Sequence, residues 1–244
     1  MNAVQAIKDS AKLLHGEQCY IGTRYSTKDS TEAHIERYEF AKRFVSGKIL
    51  DASCGSGYGT AILGSECIGI DYQDDALSYC RQHYPNTFLK ADLNQTLPFA
   101  SDSFDGIVSL ETLEHIANQD TMLSEFKRVL KTGGTLVISA PNKELSKGDN
   151  HFHVGELTKE QFIEKIGRYF TLVDFYGQAP LKELPFFVRT IKPVIRPVYV
   201  LFKAMFGTFG ESVAREFRPF TLHVIEKAQP DIRYHGLIGV YKKL

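Results

Sequence analysis

Between Lys48 and Ala140 the chain alternates short apolar runs with amphipathic stretches. KILDA (48–52), ECIGI (66–70), TFLKA (87–91), FDGIVSL (104–110) and TLVISA (135–140) are brief, apolar and bounded by turn residues, which predicts strands. The segments between them have helical spacing. One opens at Tyr58 and runs to Leu63, one is DDALSYCRQHY from Asp74, and one is NQDTMLSEFKRVLK, with Met122, Leu123, Phe126, Val129 and Leu130 on one face. Gly133-Gly134 is expected to break this last helix. Strands alternating with helices predict a parallel sheet covered on both faces and joined by right-handed crossovers.

The flanks have a different pattern. Residues 3–14 predict a short amphipathic helix and 20–30 a polar loop. TEAHIERYEFAKRFV (31–45) predicts a second helix, with Ile35, Tyr38, Phe40, Phe44 and Val45 inward and Gly47 at its end. Beyond the alternating region, LTKEQFIEKI (157–166) predicts a helix that Thr158 and Gln161 open as a capping box. FTLVDFYG (170–177) and GLIGVYKK (236–243) predict two more strands. The stretch between them, 179–235, is rich in Pro, Phe and Arg and is expected to be an insertion. Within it, Ile191, Ile195, Val198, Leu201, Phe202, Met205 and Phe209 fall on one helical face, and Arg189, Lys192, Arg196 and Lys203 on another. Pro193 and Pro197 divide it into two short helices. It could cap the core, cover a large acceptor, or touch lipid headgroups through 186–209.

Composition narrows the function classes. The 244 residues are 43% hydrophobic, enough for one substantial core. The 29 basic and 29 acidic residues balance, which argues against a nucleic-acid substrate, since these recruit basic surfaces. Cys19, Cys54, Cys67 and Cys80 form no C-x-x-C pair, so reduced thiols in a cytoplasmic protein are expected. MNAVQAIKDSAKLLHGEQ lacks the apolar core of a secretory signal, and no apolar run is long enough to span a bilayer.

The chemistry centres on ILDASCGSGYG (49–59). A strand runs into Asp51, then Gly55, Gly57 and Gly59 lead into a helix, the context of a nucleotide-type ligand. Asp71 ends the next strand, where a carboxylate accepts hydrogen bonds from ribose hydroxyls. The spacing departs from a dinucleotide fingerprint: the third glycine falls one place early, and Thr60 stands where that pattern wants glycine. Asp51 sits badly beside a pyrophosphate and suits an ammonium group.

Together with ADLNQTLPFASDSFDGIVSLETLEH and the strand after Gly133-Gly134, these residues resemble class I S-adenosylmethionine-dependent methyltransferases over about 31–177. The resemblance implies S-adenosyl-L-methionine as cofactor and S-adenosyl-L-homocysteine as its product. It places Asp51, Ala52, Cys54, Gly55 and Gly57 near the methionyl group and Asp71 on the ribose. Tyr72, Asp92 and Leu93 would flank the adenine, with Leu110 and Glu111 closing the fourth strand beside the cofactor. Ser53 stands where many members have glycine. Tyr25, Arg37 and Tyr38 could reach the cofactor from the N-terminal side, the guanidinium near a carboxylate.

The expected fold class is therefore α/β: a Rossmann-like, seven-stranded mixed sheet with helices on both faces and an α-helical insertion between the last two strands. Residues 1–47 form a helical cap, 48–178 and 236–244 the core, and 179–235 the insertion or lid.

A neutral hydroxyl acceptor needs a base. His115 in LETLEHI, with Glu111 four residues earlier, is the candidate; the alternative is a structural imidazole walling the cofactor site. DNHFHVGEL adds Asp149, His151 and His153, which could contact the acceptor, serve as a second base or shape the loop; as a metal set H-x-H with one Asp is weak. No metal is expected. HIERYEFAKRFVSGKILDASCGSGYG and PNKELSKGDNHFHVGELTKEQF are similar to bacterial methyltransferases of surface-polysaccharide and antibiotic-sugar pathways. The expected activity is O-methylation of a small or lipid-linked, sugar-type acceptor with a His general base. The rivals are N-methylation of a small amine and a non-catalytic cofactor-binding module. Base-methylating enzymes carry [DN]-P-P-[YF] where this chain has SLETLEH.

Overall fold

The computed structural model describes residues 28–146, 152–180, 225–230 and 232–244. The expected helix over 3–14, Tyr25, Asp149, His151 and the two helices of 186–209 lie outside them.

Eight strands form one sheet: β1 (Ile49–Ala52), β2 (Ile68–Asp71), β3 (Thr87–Lys90), β4 (Phe104–Ser109), β5 (Leu130–Pro141), β6 (Thr171–Pro180), β7 (Ile225–Lys227) and β8 (Tyr234–Lys242). Their order is β3-β2-β1-β4-β5-β8-β6-β7. The first five are parallel, and β8 inserts antiparallel between β5 and β6. The described helices are α1 (Lys28–Ala41), α2 (Tyr58–Leu63), α3 (Asp74–His83), α4 (Gln119–Val129) and α5 (Lys159–Gly167), with a 3-10 turn at Leu113–His115.

Strand alternation divides the core between the two faces. Leu50, Ile107, Leu136, Ile138 and Leu237 pack against Met122 and Phe126 of α4 and Phe162 and Ile166 of α5. Their sequence neighbours Ile49, Val108, Val137 and Ile238 turn the other way, toward Tyr38 and Ala41 of α1 and Tyr58 and Leu63 of α2. Each fully buried Leu, Ile or Phe contributes about 1.5–3 kcal/mol of burial free energy. This two-sided burial explains why the parallel strands read as continuous apolar runs.

Local signals fix the helix ends. Asp74 and Asp75 open α3, and Arg81 and His83 close it, complementing the helix dipole. The Asn118 side chain caps α4 by accepting from Thr121 N. Thr158 and Gln161 form the expected capping box.

Three expectations need correction. The sheet has eight strands, because Ile225–Lys227, inside the stretch assigned to the insertion, pairs antiparallel with the outer edge of β6. Gly133-Gly134 does not end α4. The helix stops at Val129, and the glycines lie within β5, where Gly133 N donates to Lys243 O at 2.7 Å. The helix expected over 31–45 starts at Lys28 and gives way to turns after Ala41.

Candidate functional site

In an open parallel sheet, ligands bind beyond the carboxyl ends of the strands, where the strand order reverses. Here β1 lies between β2 and β4, and the loops after these strands carry the sequence-predicted residues.

The loop after β1 turns sharply. Ser53 has φ 67°, Gly55 φ 52° and Gly57 φ 80°. The departure from glycine at Ser53 thus falls on a left-handed residue, a conformation that costs a side-chain-bearing residue of order 1–3 kcal/mol. At Gly55 an added Cβ would meet nothing within 4 Å, so this bare main chain fronts open space. A Cβ at Gly57 would come within 2.7 Å of Cys80 Sγ. Gly59 has another role. A Cβ there would lie 2.0 Å from the Tyr38 ring, so this glycine admits α1 onto the loop.

Asp51 and Ala52 are wholly enclosed at the end of β1. Asp51 accepts hydrogen bonds from Thr60 Oγ1 at 2.6 Å and Tyr38 OH at 3.1 Å. Burial outweighs both and pushes the carboxyl up to about 7. Thr60 therefore stands where a dinucleotide loop wants glycine because its hydroxyl is needed by Asp51. Cys54 is buried behind the loop, its thiol pushed well up by a hydrogen bond with Cys80 and by burial.

Asp71, at the tip of β2, is held by main-chain donors: Gly55 N reaches Oδ2 and Gln73 N reaches Oδ1, each at 3.0 Å. One carboxylate thus ties the glycine loop to the next strand, while burial raises its pKa. Tyr72 beside it is 62% exposed, an apolar ring facing solvent. Asp92, after β3, accepts from Asn94 and Gln95, which hold its carboxyl below the ordinary range. Leu93 is buried next to it, as is Leu110 after β4.

Glu111 has φ 50°. Its carboxylate lies 3.4 Å from Arg37 Nη2 and accepts from Ser139 Oγ at 2.8 Å. Burial would raise this carboxyl, but Arg37, His34 and the Ser139 hydroxyl outweigh it and hold it down. Arg37 is buried, and its Nε and Nη1 meet no acceptor among the described residues. These orphaned donors, together with the open main chain at Gly55, fit a ligand carrying a carboxylate and an amino group. Arg37 and Glu111 also line a cavity of about 260 Å³ that reaches Asn142, His153, Gln178 and His235.

The two described histidines of the sequence reading meet beside this cavity. The rings of His115 and His153 lie 4.9 Å apart, edge to face. His115 Nδ1 donates to the Phe152 carbonyl at 3.1 Å, and His153 Nδ1 donates to Glu156. Glu156 also accepts from Ser146 Oγ at 2.7 Å. Glu114, next to His115, is 2% exposed, and its Oε2 has no partner among the described residues. Burial and the nearby Glu111 push its carboxyl well up. The sequence reading named neither Glu114 nor Glu156. No spacing along the chain points to Glu114, since Glu111, with φ 50°, lies outside the 3-10 turn of Leu113–His115. Among the described residues no helix is long and apolar enough to cross a membrane.

Residues 50–138 match a family model described as a methyltransferase domain. A probable S-adenosylmethionine-dependent methyltransferase of Mycolicibacterium smegmatis is 29% identical over 163 residues, which cover 64% of this chain and 63% of that protein. The human mitochondrial ubiquinone biosynthesis O-methyltransferase is 30% identical over 127 residues, 48% of this chain and 34% of that protein. The chain thus spans less than two thirds of these curated relatives. Among solved structures, a possible histamine N-methyltransferase of Thermotoga maritima superposes with TM-score 0.62 at 14% identity, covering 88% of this chain and 90% of that one.

Proposed function

We propose that the chain, whose residues 50–138 match a methyltransferase domain and which resembles S-adenosylmethionine-dependent methyltransferases, methylates an oxygen of a small or lipid-linked, sugar-type acceptor. S-adenosylmethionine supplies a methyl group on a cationic sulfur and leaves as S-adenosylhomocysteine. Asp51 and the Gly55–Gly57 main chain hold its amino-acid end, with the orphaned donors of Arg37 directed to the carboxylate. Asp71 holds the ribose. Tyr72, Asp92 and Leu93 flank the adenine, and Cys54 and Leu110 wall the site.

The observation that carries the oxygen assignment is the imidazole pair in which His153 lines the Glu111 cavity and His115 packs against His153. A hydroxyl must lose its proton as the methyl arrives. In both imidazoles Nδ1 is the donor, to Phe152 and to Glu156, so the lone pair is on Nε2. His115 accepts the proton there, and Glu111 orients the acceptor. Phe152 and Val154, 59% and 63% exposed on either side of His153, offer an apolar lip that suits a lipid-linked or aglycone-bearing acceptor.

The test is incubation with methyl-labelled S-adenosylmethionine and fractionated hydroxyl acceptors. The label should appear in an ether. His115→Ala should lower turnover by roughly 10²–10⁴-fold while S-adenosylhomocysteine affinity is retained. Label in an amine, or unchanged turnover in the variant, contradicts the reading.

A further inference from the structure

The geometry points to a divalent transition-metal site formed by Glu114, His115 and His153, the last of which lines the proposed acceptor cavity. One donor atom from each of the three lies within 4.8 Å of the other two. His115 Nε2 is 3.7 Å from Glu114 Oε1. Three ligands on a tetrahedral ion with bonds of about 2.0–2.1 Å stand roughly 3.3–3.5 Å apart, so side-chain shifts of about an ångström would close the set. Two imidazoles and a carboxylate suit zinc, manganese or iron(II) better than magnesium or calcium.

Three observations separate this cluster from a chance meeting of side chains. The first is the buried Glu114 carboxylate, whose Oε2 has no partner among the described residues. A carboxylate enclosed to this degree is costly unless a positive charge or donor reaches it. The second is the orientation of the imidazoles. Each uses Nδ1 toward a fixed acceptor, Phe152 O for His115 and Glu156 for His153, and Ser146 anchors Glu156 in turn. Metal-bound histidines are held in this way, the far nitrogen fixing the tautomer and the ring plane. The third is rigidity. Val154 N and Gly155 N donate to Glu114 O at 2.9 and 3.0 Å, and Gln119 Nε2 bridges Leu113 O and Gly155 O at 2.9 Å each. The loop that brings His153 is thereby stapled to the turn that carries Glu114 and His115.

The consequence for catalysis rests on the O-methylation proposed above; the binding of the ion does not. A hydroxyl placed on the cation loses its proton to water, and its oxygen stays on the metal as the anion that attacks the methyl group. With the cation in place, His115 acts through the ion and no longer takes the proton itself.

The test is titration of metal-stripped protein with Co²⁺ and Zn²⁺, read by calorimetry and by the visible ligand-field bands of Co²⁺. One ion per chain is expected, with bands of low coordination number. Glu114→Gln and His153→Ala should each weaken it by at least about tenfold. Glu156→Gln, one shell out, should weaken it by roughly 10–100-fold without touching a ligand. Retained S-adenosylhomocysteine affinity shows that each variant is folded, and Glu156→Gln decides the matter where a ligand variant is not. Absence of stoichiometric binding, or binding unchanged in Glu156→Gln and in the folded ligand variants, overturns the site. Failure of this site is distinguishable from failure of the methyltransferase reading. Ether methylation that persists in chelator with no bound metal removes only the site, whereas an ion bound by protein without affinity for S-adenosylhomocysteine removes only the methyltransferase.

Discussion

Asp51 joins sequence, structure and chemistry at one carboxyl. Enclosed at the tip of β1, its pKa is raised to about 7, so at pH 6 it is largely protonated. A bound ammonium group favours the carboxylate and should expel that proton. Calorimetry of S-adenosylhomocysteine binding at pH 6, in buffers of different ionisation heat, should show proton release that vanishes in Asp51→Asn; equal heats in all buffers would contradict this. The linkage to stability has a definite sign. The folded pKa lies above the unfolded value of about 3.9, so the folded state binds the extra proton. Stability should fall as pH rises from about 4 through about 7, and Asp51→Asn should flatten that slope. The sequence placed Asp51 at a strand end beside a glycine loop, and this position was legible. Its partners were not, because Tyr38 and Thr60 reach it only once α1 and α2 have packed. Glu114 was missed for a related reason: adjacent Glu and His carry no signal until a loop 37 residues beyond His115 brings Phe152 and His153 beside them.

Among the elements, α1 and the start of α2 are fitted to each other through Gly59. Gly59→Ala places a methyl within 2.0 Å of the Tyr38 ring, at a buried position in the first turn of α2. Overpacking of this kind costs about 1–3 kcal/mol. In a Tyr38→Ala background the same substitution should cost clearly less, because the obstructing ring is gone; equal costs in chemical denaturation would show that the two do not couple. Element types were readable where periodicity was strong: β1 to β5 and α2 to α5 fall within a few residues of their expected places. The errors occur where tertiary pairing decides. Gly133-Gly134 looks like a helix stop, yet β5 reaches back to Leu130 because Leu130 pairs with Phe104 of β4 and Lys243, just past β8, exchanges main-chain bonds with Gly133 and Gly134. The three residues of β7 carry no strand pattern and pair only because β6 offers an edge.

For the molecule as a whole, the parallel half of the sheet carries the glycine loop and the strand-end acids, and the antiparallel half, with β8 between β5 and β6, brings Gln178 and His235 to the Glu111-lined cavity that we propose takes the acceptor. Arg37 and Glu111 join the two, Arg37 from α1 and Glu111 from the end of β4. The sequence indicated the cofactor half, because glycine spacing and strand-end acids are local signals. The cavity on the other side depends on which distant strands become neighbours, and the pattern along the chain does not hold that information. The account stands on the claim that Asp71 and the glycine loop grip one sulfonium donor. Titration calorimetry of S-adenosylhomocysteine against the folded protein and Asp71→Ala tests it most directly. Saturable one-to-one binding, weakened by at least about tenfold in the variant, is predicted through the loss of charge-assisted hydrogen bonds. No heat of binding with the folded wild-type protein, or equal affinity in the variant, would contradict it.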